Sequence, residues 1–116
     1  MKNSGMIQRA RYSVAGLRVA VLGERSLRTH LALSLVLLVA MGFLEPARFW
    51  WAVMPLAIAT CWGFELMNAA IERLCDHLHP ERHEAIGEVK DLASAAAFTA
   101  NVTTAGLAIA MFVHSL

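Results

Sequence analysis

The fold is decided by residues 49–76, which read FWWAVMPLAIATCWGFELMNAAIERLCD. The first sixteen of these residues carry no formal charge, and the stretch then becomes acidic at Glu65. Asn68, Glu72 and Asp76 follow Glu65 at offsets of three, seven and eleven residues, so that all four lie within an arc of about 80° on one helical face. Carboxylates at the end of a membrane helix are costly and normally mark a function. The stretch therefore predicts a membrane helix with a row of functional acids at one end.

The composition of the chain is that of a membrane protein. Of its 116 residues, 58% are hydrophobic and 16% are charged, against about 25% charged residues in soluble domains. The length predicts one domain over residues 1–116. A net charge of +1 gives no reason to predict nucleic acid binding.

An all-α integral membrane fold is predicted, with an N-terminal amphipathic helix and three membrane helices. Residues of about 6–23 alternate apolar and basic positions as a helix does when it lies on a lipid surface, although a soluble helix packed on a neighbour has a similar pattern. A polar loop with Pro80 is predicted over residues 77–88. The predicted membrane helices cover residues 27–44, 49–76 and 90–114.

The basic residues predict the orientation of the chain in its membrane. Six of them lie before the first membrane helix or at its start, three flank the loop before the last one, and the turn between the first two has only Arg48. Positive-inside reasoning therefore places the N-terminus and the acidic row in the cytoplasm. These flanking residues are Lys2, Arg9, Arg11, Arg18, Arg25 and Arg28, and then Arg73, Arg82 and Lys90.

Small residues in the last helix predict close helix packing. Three helices form a thin bundle with little room for a site, so a homo-oligomer is expected.

The acids and Lys90 suggest phosphoryl transfer at a membrane surface. Mg²⁺ prefers one or two carboxylates together with phosphate oxygens and water, and Glu24 and Glu72 are candidates for that role. Glu65 lies two turns deeper, where a base for a lipid hydroxyl would be needed. Each residue also has an ordinary explanation: a solvated or ion-paired acid, an interhelical amide at Asn68, or a flanking charge at Lys90.

The combined arrangement resembles the signature of the prokaryotic diacylglycerol kinase family over nearly the whole chain. The matching residues read Glu65-x-x-Asn68-x-Ala70-Ile71-Glu72-x-x-x-Asp76, then His83, then Gly87-x-x-Lys90-Asp91-x-x-Ser94-Ala95-Ala96, with Tyr12-Ser13-x-x-Gly16-Leu17-Arg18-x-Ala20 and Glu24 upstream.

The resemblance implies a homotrimeric lipid kinase that uses ATP with Mg²⁺. It implies that Glu65 is the catalytic base, that Asn68 supports it, and that Glu24 and Glu72 hold the metal. The implied nucleotide contacts are Tyr12, Glu24, Glu72, Glu81, His83, Lys90 and Asp91. The implied contacts to the lipid substrate are Arg9, Arg18, Glu65 and Ser94.

The chain departs from the family pattern in three places. Gly5 stands where the family has an arginine, and Ala69 stands where serine or threonine is common. The commonly hydrophobic stretch after Ser94 contains Asn101, Thr103 and Thr104, for which the sequence offers no explanation.

The resulting prediction is ATP-dependent phosphorylation of diacylglycerol to phosphatidate at the cytoplasmic membrane face. An undecaprenol kinase of the same family is the near alternative. A small multidrug exporter is an alternative of another class, but it requires four membrane helices and a glutamate in the first. A non-catalytic assembly subunit would not need both Glu24 and the Lys90–Asp91 pair.

Overall fold

The computed structural model describes residues 5–116 as four helices. They are α1 (Met6–Gly23), α2 (Arg25–Leu44), α3 (Arg48–Leu78) and α4 (Glu84–Ser115). The last three are each long and apolar enough to cross a membrane, which confirms the predicted all-α membrane fold. Lys2, one of the residues used to predict the orientation, lies outside the described range.

Helices α3 and α4 are longer than a hydrocarbon layer is thick, so an apolar helix can carry acids at one end. The 31 residues of α3 and the 32 of α4 correspond to lengths of about 46 and 48 Å, whereas a hydrocarbon layer is about 30 Å thick. Both helices therefore extend beyond such a layer. Because successive membrane helices joined by short turns run antiparallel, the end of α3, the start of α4 and α1 lie on the same side.

A tight turn separates α2 from α3. Glu45 adopts a left-handed backbone conformation with φ of 50°, and its N–H donates to the Met41 carbonyl at 2.9 Å. Such a residue commonly ends a helix. Pro46, which is buried, has no N–H with which to continue α2.

A cluster of large side chains holds the bundle together at the end away from the acids. Met41, Trp50, Met54 and Met111 are buried there. The Trp50 indole N–H donates to His114 Nδ1 at 3.5 Å. Trp50 is thus an interior residue of the bundle, and its N–H has a partner on α4.

Polar side chains join the helices nearer the middle of the bundle. The Trp62 indole N–H donates to Ser34 Oγ at 3.0 Å, which ties α3 to α2. Cys61 Sγ lies 3.3 Å from the Ala100 carbonyl and 3.0 Å from Thr104 Oγ1, which ties α3 to α4. Small and hydroxyl-bearing residues are typical of such membrane interfaces, and the contact accounts for the polar residue at position 104.

The loop between α3 and α4 is shorter than the predicted one. Helix α4 begins at Glu84, and not near Lys90, so the predicted loop over residues 77–88 is wrong for its second half. The reason is a local cap: His83 Nδ1 accepts the Ala85 N–H at 3.1 Å, and Glu84 brings negative charge to the first turn, where the helix dipole favours it. Lys90 and Asp91 consequently lie within the helix.

Arg28 fixes the corner between α1 and α2. Its Nη1 donates to the carbonyls of Val21 and Leu22 at 3.1 and 2.9 Å. These carbonyls belong to the last turn of α1, where no intrahelical partner remains. The corner in turn sets the position of Glu24, which lies between the two helices.

Replacing Arg28 by alanine is expected to loosen the last turn of α1. The lost hydrogen bonds are exposed, so the expected local destabilisation is about 1 kcal/mol. Amide hydrogen exchange over residues 19–24 should accelerate about fivefold. Arg25→Ala is the matched control, since Arg25 is exposed at the same corner. Equal exchange in both variants would show that Arg28 does not cap α1.

Candidate functional site

Glu65 is the buried centre of the acidic row. Glu65 is 8% exposed, and its Oε1 lies 3.1 Å from His30 Nε2 on α2. Asn101 Nδ2 on α4 donates to the same oxygen at 2.9 Å. Glu65 is about 26 Å along α3 from Arg48, which places it at the far edge of a hydrocarbon layer that begins at the start of α3. One carboxylate thus contacts both α2 and α4.

The next turns of α3 carry progressively more exposed polar groups. Asn68 and Glu72 are half-buried, and Asn68 Nδ2 donates to Glu72 Oε1 at 3.4 Å. Asp76 is exposed and accepts a hydrogen bond from Lys90 Nζ on α4. The row therefore runs from a buried carboxylate at Glu65 to a solvated one at Asp76.

Glu24 meets α3 through an ion pair. Arg73 Nε donates to Glu24 Oε1 at 2.9 Å. The Arg73 guanidinium also passes so close to Gly23 that a Cβ there would lie 2.5 Å from Arg73 Nη2. Because Arg73 directly follows Glu72, the pair brings Glu24 to the turn of α3 that carries Glu72.

A cleft of about 520 Å³ lies between α1 and α3, within the usual size range of small-molecule sites. Its wall includes Ser13, Gly16, Glu24, Ala69 and Arg73. Two separate parts of the signature, one on α1 and one on α3, therefore face each other across this cleft. Ala69 is buried in the wall, where a small side chain leaves room.

The loop residues form a second polar group at the start of α4. His79 Nδ1 lies 3.2 Å from the Glu81 carbonyl oxygen, and the His79 and His83 rings have centroids 5.1 Å apart. The Glu81 side chain is exposed. His83, whose ring caps α4, is thereby held in a defined orientation.

The remaining predicted site residues are exposed on α1 or α4. Tyr12 accepts a hydrogen bond from the Gln8 side chain at 3.4 Å. Within residues 5–116, side-chain hydrogen bonds join Asn68 to Glu72 but no other two of the predicted site residues. These remaining exposed residues are Arg9, Tyr12 and Arg18 on α1, and Asp91 and Ser94 on α4.

Three contacts of this site were not predicted from the sequence. His30 and Asn101 bind Glu65, and Arg73 binds Glu24. The one available signal was Asn101, an amide in an apolar helix, which is costly unless it is hydrogen-bonded. Its contact with Glu65 explains that departure from the family pattern.

A metal ion at Glu24 and Glu72 would need further ligands from a substrate such as a nucleotide. Among residues 5–116 no group of three or more His, Cys, Asp or Glu side chains is close enough to hold a metal ion. Mg²⁺ bound with a nucleotide needs only one or two carboxylates, since phosphates and water supply the other oxygens. Glu24 and Glu72 each keep one carboxylate oxygen outside the hydrogen bonds described above.

Comparison with known proteins agrees with the signature. A family model described as prokaryotic diacylglycerol kinase matches residues 11–112. The diacylglycerol kinase of Haemophilus influenzae is 32% identical over 95 residues, which cover 82% of this chain and 80% of that protein. The diacylglycerol kinase of Pseudomonas aeruginosa is 36% identical over 89 residues, covering 77% and 72%. That of Escherichia coli K12 is 30% identical over 95 residues, covering 82% and 78%.

Proposed function

This chain belongs to the prokaryotic diacylglycerol kinase family, and we propose that it transfers the γ-phosphoryl group of ATP to the free hydroxyl of diacylglycerol. The product of that transfer is phosphatidate. The proposed site is at the cytoplasmic face of the bacterial inner membrane, where ATP is available. A homotrimer is the proposed assembly.

The observation that carries the proposal is the position of Glu65. It is the only charged side chain buried within residues 5–116, and it lies about 26 Å along α3 from Arg48, a distance close to the thickness of a hydrocarbon layer. The hydroxyl of a diacylglycerol occupies the same depth, between the acyl chains and water. A carboxylate at that depth is suited to accept the hydroxyl proton as the oxygen attacks phosphorus.

Glu24 and Glu72 are proposed to hold Mg²⁺ together with the ATP phosphates. The ion bridges phosphate oxygens and offsets the negative charge on them. Arg73, which now binds one oxygen of Glu24, orients that carboxylate toward the turn of α3 that carries Glu72. Asn68 orients the Glu72 carboxylate through its own hydrogen bond.

Lys90 is proposed to bind the phosphates as a compact positive charge. Its present partner Asp76 is exposed, and an ion pair in water is strongly screened and contributes little, so a polyphosphate can displace Asp76. Tyr12, Glu81, His83 and Asp91 are proposed to contact the rest of the nucleotide. The proposed lipid contacts are Arg9, Arg18 and Ser94.

The direct test of the function is incubation of the purified protein with labelled ATP and either diacylglycerol or undecaprenol. Label is expected in phosphatidate. Transfer to undecaprenol but not to diacylglycerol would assign the alternative substrate, and transfer to neither would overturn the proposal.

Glu65→Gln is expected to remove turnover while leaving assembly and ATP binding intact. The amide keeps an oxygen for His30 and Asn101 but cannot accept the hydroxyl proton, and loss of a catalytic base costs about 10²- to 10⁴-fold. Turnover is measured with labelled ATP. Glu88→Gln, an exposed acid on α4, is the control. Retention of more than half of the wild-type turnover would end the assignment.

Glu24→Ala and Glu72→Ala are each expected to weaken Mg²⁺-ATP binding. Since both carboxylates are proposed to bind one ion, the double variant should bind little more weakly than either single variant. The affinities are measured by nucleotide titration at fixed free Mg²⁺. Full additivity of the two losses in free energy would contradict a shared ion.

Lys90→Ala is expected to raise the KM for ATP, and Lys90→Arg to recover it only in part, because the guanidinium is broader than a compact ammonium. The competing explanation is that Lys90 only anchors α4 at the membrane surface. An anchoring lysine would affect insertion or assembly but not the ATP dependence of the folded protein. An unchanged KM in folded Lys90→Ala would leave only the anchoring role.

A further inference from the structure

Two side chains outside the family signature hold the carboxylate of Glu65. His30 Nε2 lies 3.1 Å from Oε1, and Asn101 Nδ2 donates to the same atom at 2.9 Å. We propose that His30 and Asn101 are positioning residues that fix Oε1 of Glu65 and so direct Oε2 at the substrate hydroxyl. The proposal rests on the proposed function of Glu65 as the base.

The chemistry of the three groups fixes the direction of both hydrogen bonds. An ionised carboxylate has no proton to donate, so His30 must carry a proton on Nε2 when Glu65 is ready to act as a base. The Asn101 amide nitrogen is always a donor. Both donors therefore converge on Oε1, and no hydrogen-bond partner for Oε2 is found within residues 5–116.

The unpaired oxygen is then the one that takes part in the reaction. As the hydroxyl oxygen forms a bond to the γ-phosphorus of ATP, its proton passes to Oε2. The bond between the γ-phosphorus and the bridging oxygen breaks, and ADP leaves with the electron pair of that bond. Glu65 ends the step as a carboxylic acid, which releases its proton before the next turnover.

The state of Asn101 indicates that its amide serves Glu65. Its Oδ1 is buried without a hydrogen-bond partner in the described part of the chain, and leaving such an atom unpaired is unfavourable. A leucine here would avoid that cost in an apolar helix. The hydrogen bond from Nδ2 is what the asparagine contributes that a leucine would not.

The arrangement also distributes the positioning over three helices. His30 is on α2, Glu65 on α3 and Asn101 on α4, so rotation of the Glu65 side chain requires breaking contacts with both neighbours. A fixed rotamer keeps the reacting oxygen at one place, and orientation of this kind is a large part of what an enzyme supplies.

The test is steady-state kinetics of folded variants with diacylglycerol and ATP. His30→Leu and Asn101→Leu are each expected to lower kcat by about tenfold with the KM for ATP changed less than about twofold. His30→Gln keeps an N–H at the reach of Nε2 and should retain at least about a third of kcat, whereas the shorter His30→Asn should not.

Thr104→Val is the matched control. Thr104 is on α4 one turn beyond Asn101 and lines the same groove as His30 and Asn101, but its hydroxyl contacts Cys61 and the Ala57 carbonyl. Loss of a structural polar contact alone should leave kcat near the wild-type value. A fall in Thr104→Val equal to that in Asn101→Leu would overturn the proposal, since it would show general loosening.

The experiment separates this proposal from the proposed function. An inactive wild-type protein contradicts both. An active wild type with an inactive Glu65→Gln, together with unchanged kcat in the leucine variants, contradicts only the positioning role. If the leucine variants do not fold, the comparison of His30→Gln with His30→Asn decides: equal kcat in the two overturns the proposal.

Discussion

The burial of the Glu65 carboxylate is the constraint on which the rest of the structure depends. A carboxylate removed from water without partners is strongly unfavourable. Glu65 meets this requirement with one donor from α2 and one from α4. The requirement therefore brings three helices together at one atom, at a level where the small residues of α3 and α4 already allow close approach.

The polar side chains of the site are held less firmly with increasing distance from Glu65. Glu65 is held by two half-buried donors, Glu72 by one long hydrogen bond to Asn68, and Lys90 by an exposed carboxylate. Exposed ion pairs are worth little, so the groups proposed to meet ATP can exchange partners readily. The group proposed to meet the lipid hydroxyl cannot. This gradient suits a site in which a nucleotide arrives from water and a lipid arrives within the membrane.

The helices could be predicted from the sequence because hydropathy and proline placement are local signals. The predicted start of α4 was wrong because the segment from Glu84 to Glu88, with two acids and a glycine, resembles a loop in composition. The cap from His83 instead starts the helix there. The shared face of Asn68 and Glu72 follows from helical spacing, and their hydrogen bond agrees with it. The contact between His30 and Glu65 spans 35 residues, and no local pattern encodes it. Arg73 was likewise counted only for its charge, since its pairing with Glu24 depends on the corner between α1 and α2.

The most direct test of this account measures stability in the His30, Glu65 and Asn101 cluster. Free energies of unfolding in the same lipid or detergent are compared for His30→Leu/Asn101→Leu and for His30→Leu/Glu65→Leu/Asn101→Leu. The double variant leaves a carboxylate buried without donors, whereas the triple variant removes it. We expect the triple variant to be the more stable by about 2 kcal/mol or more. A triple variant equal to or less stable than the double variant would contradict it.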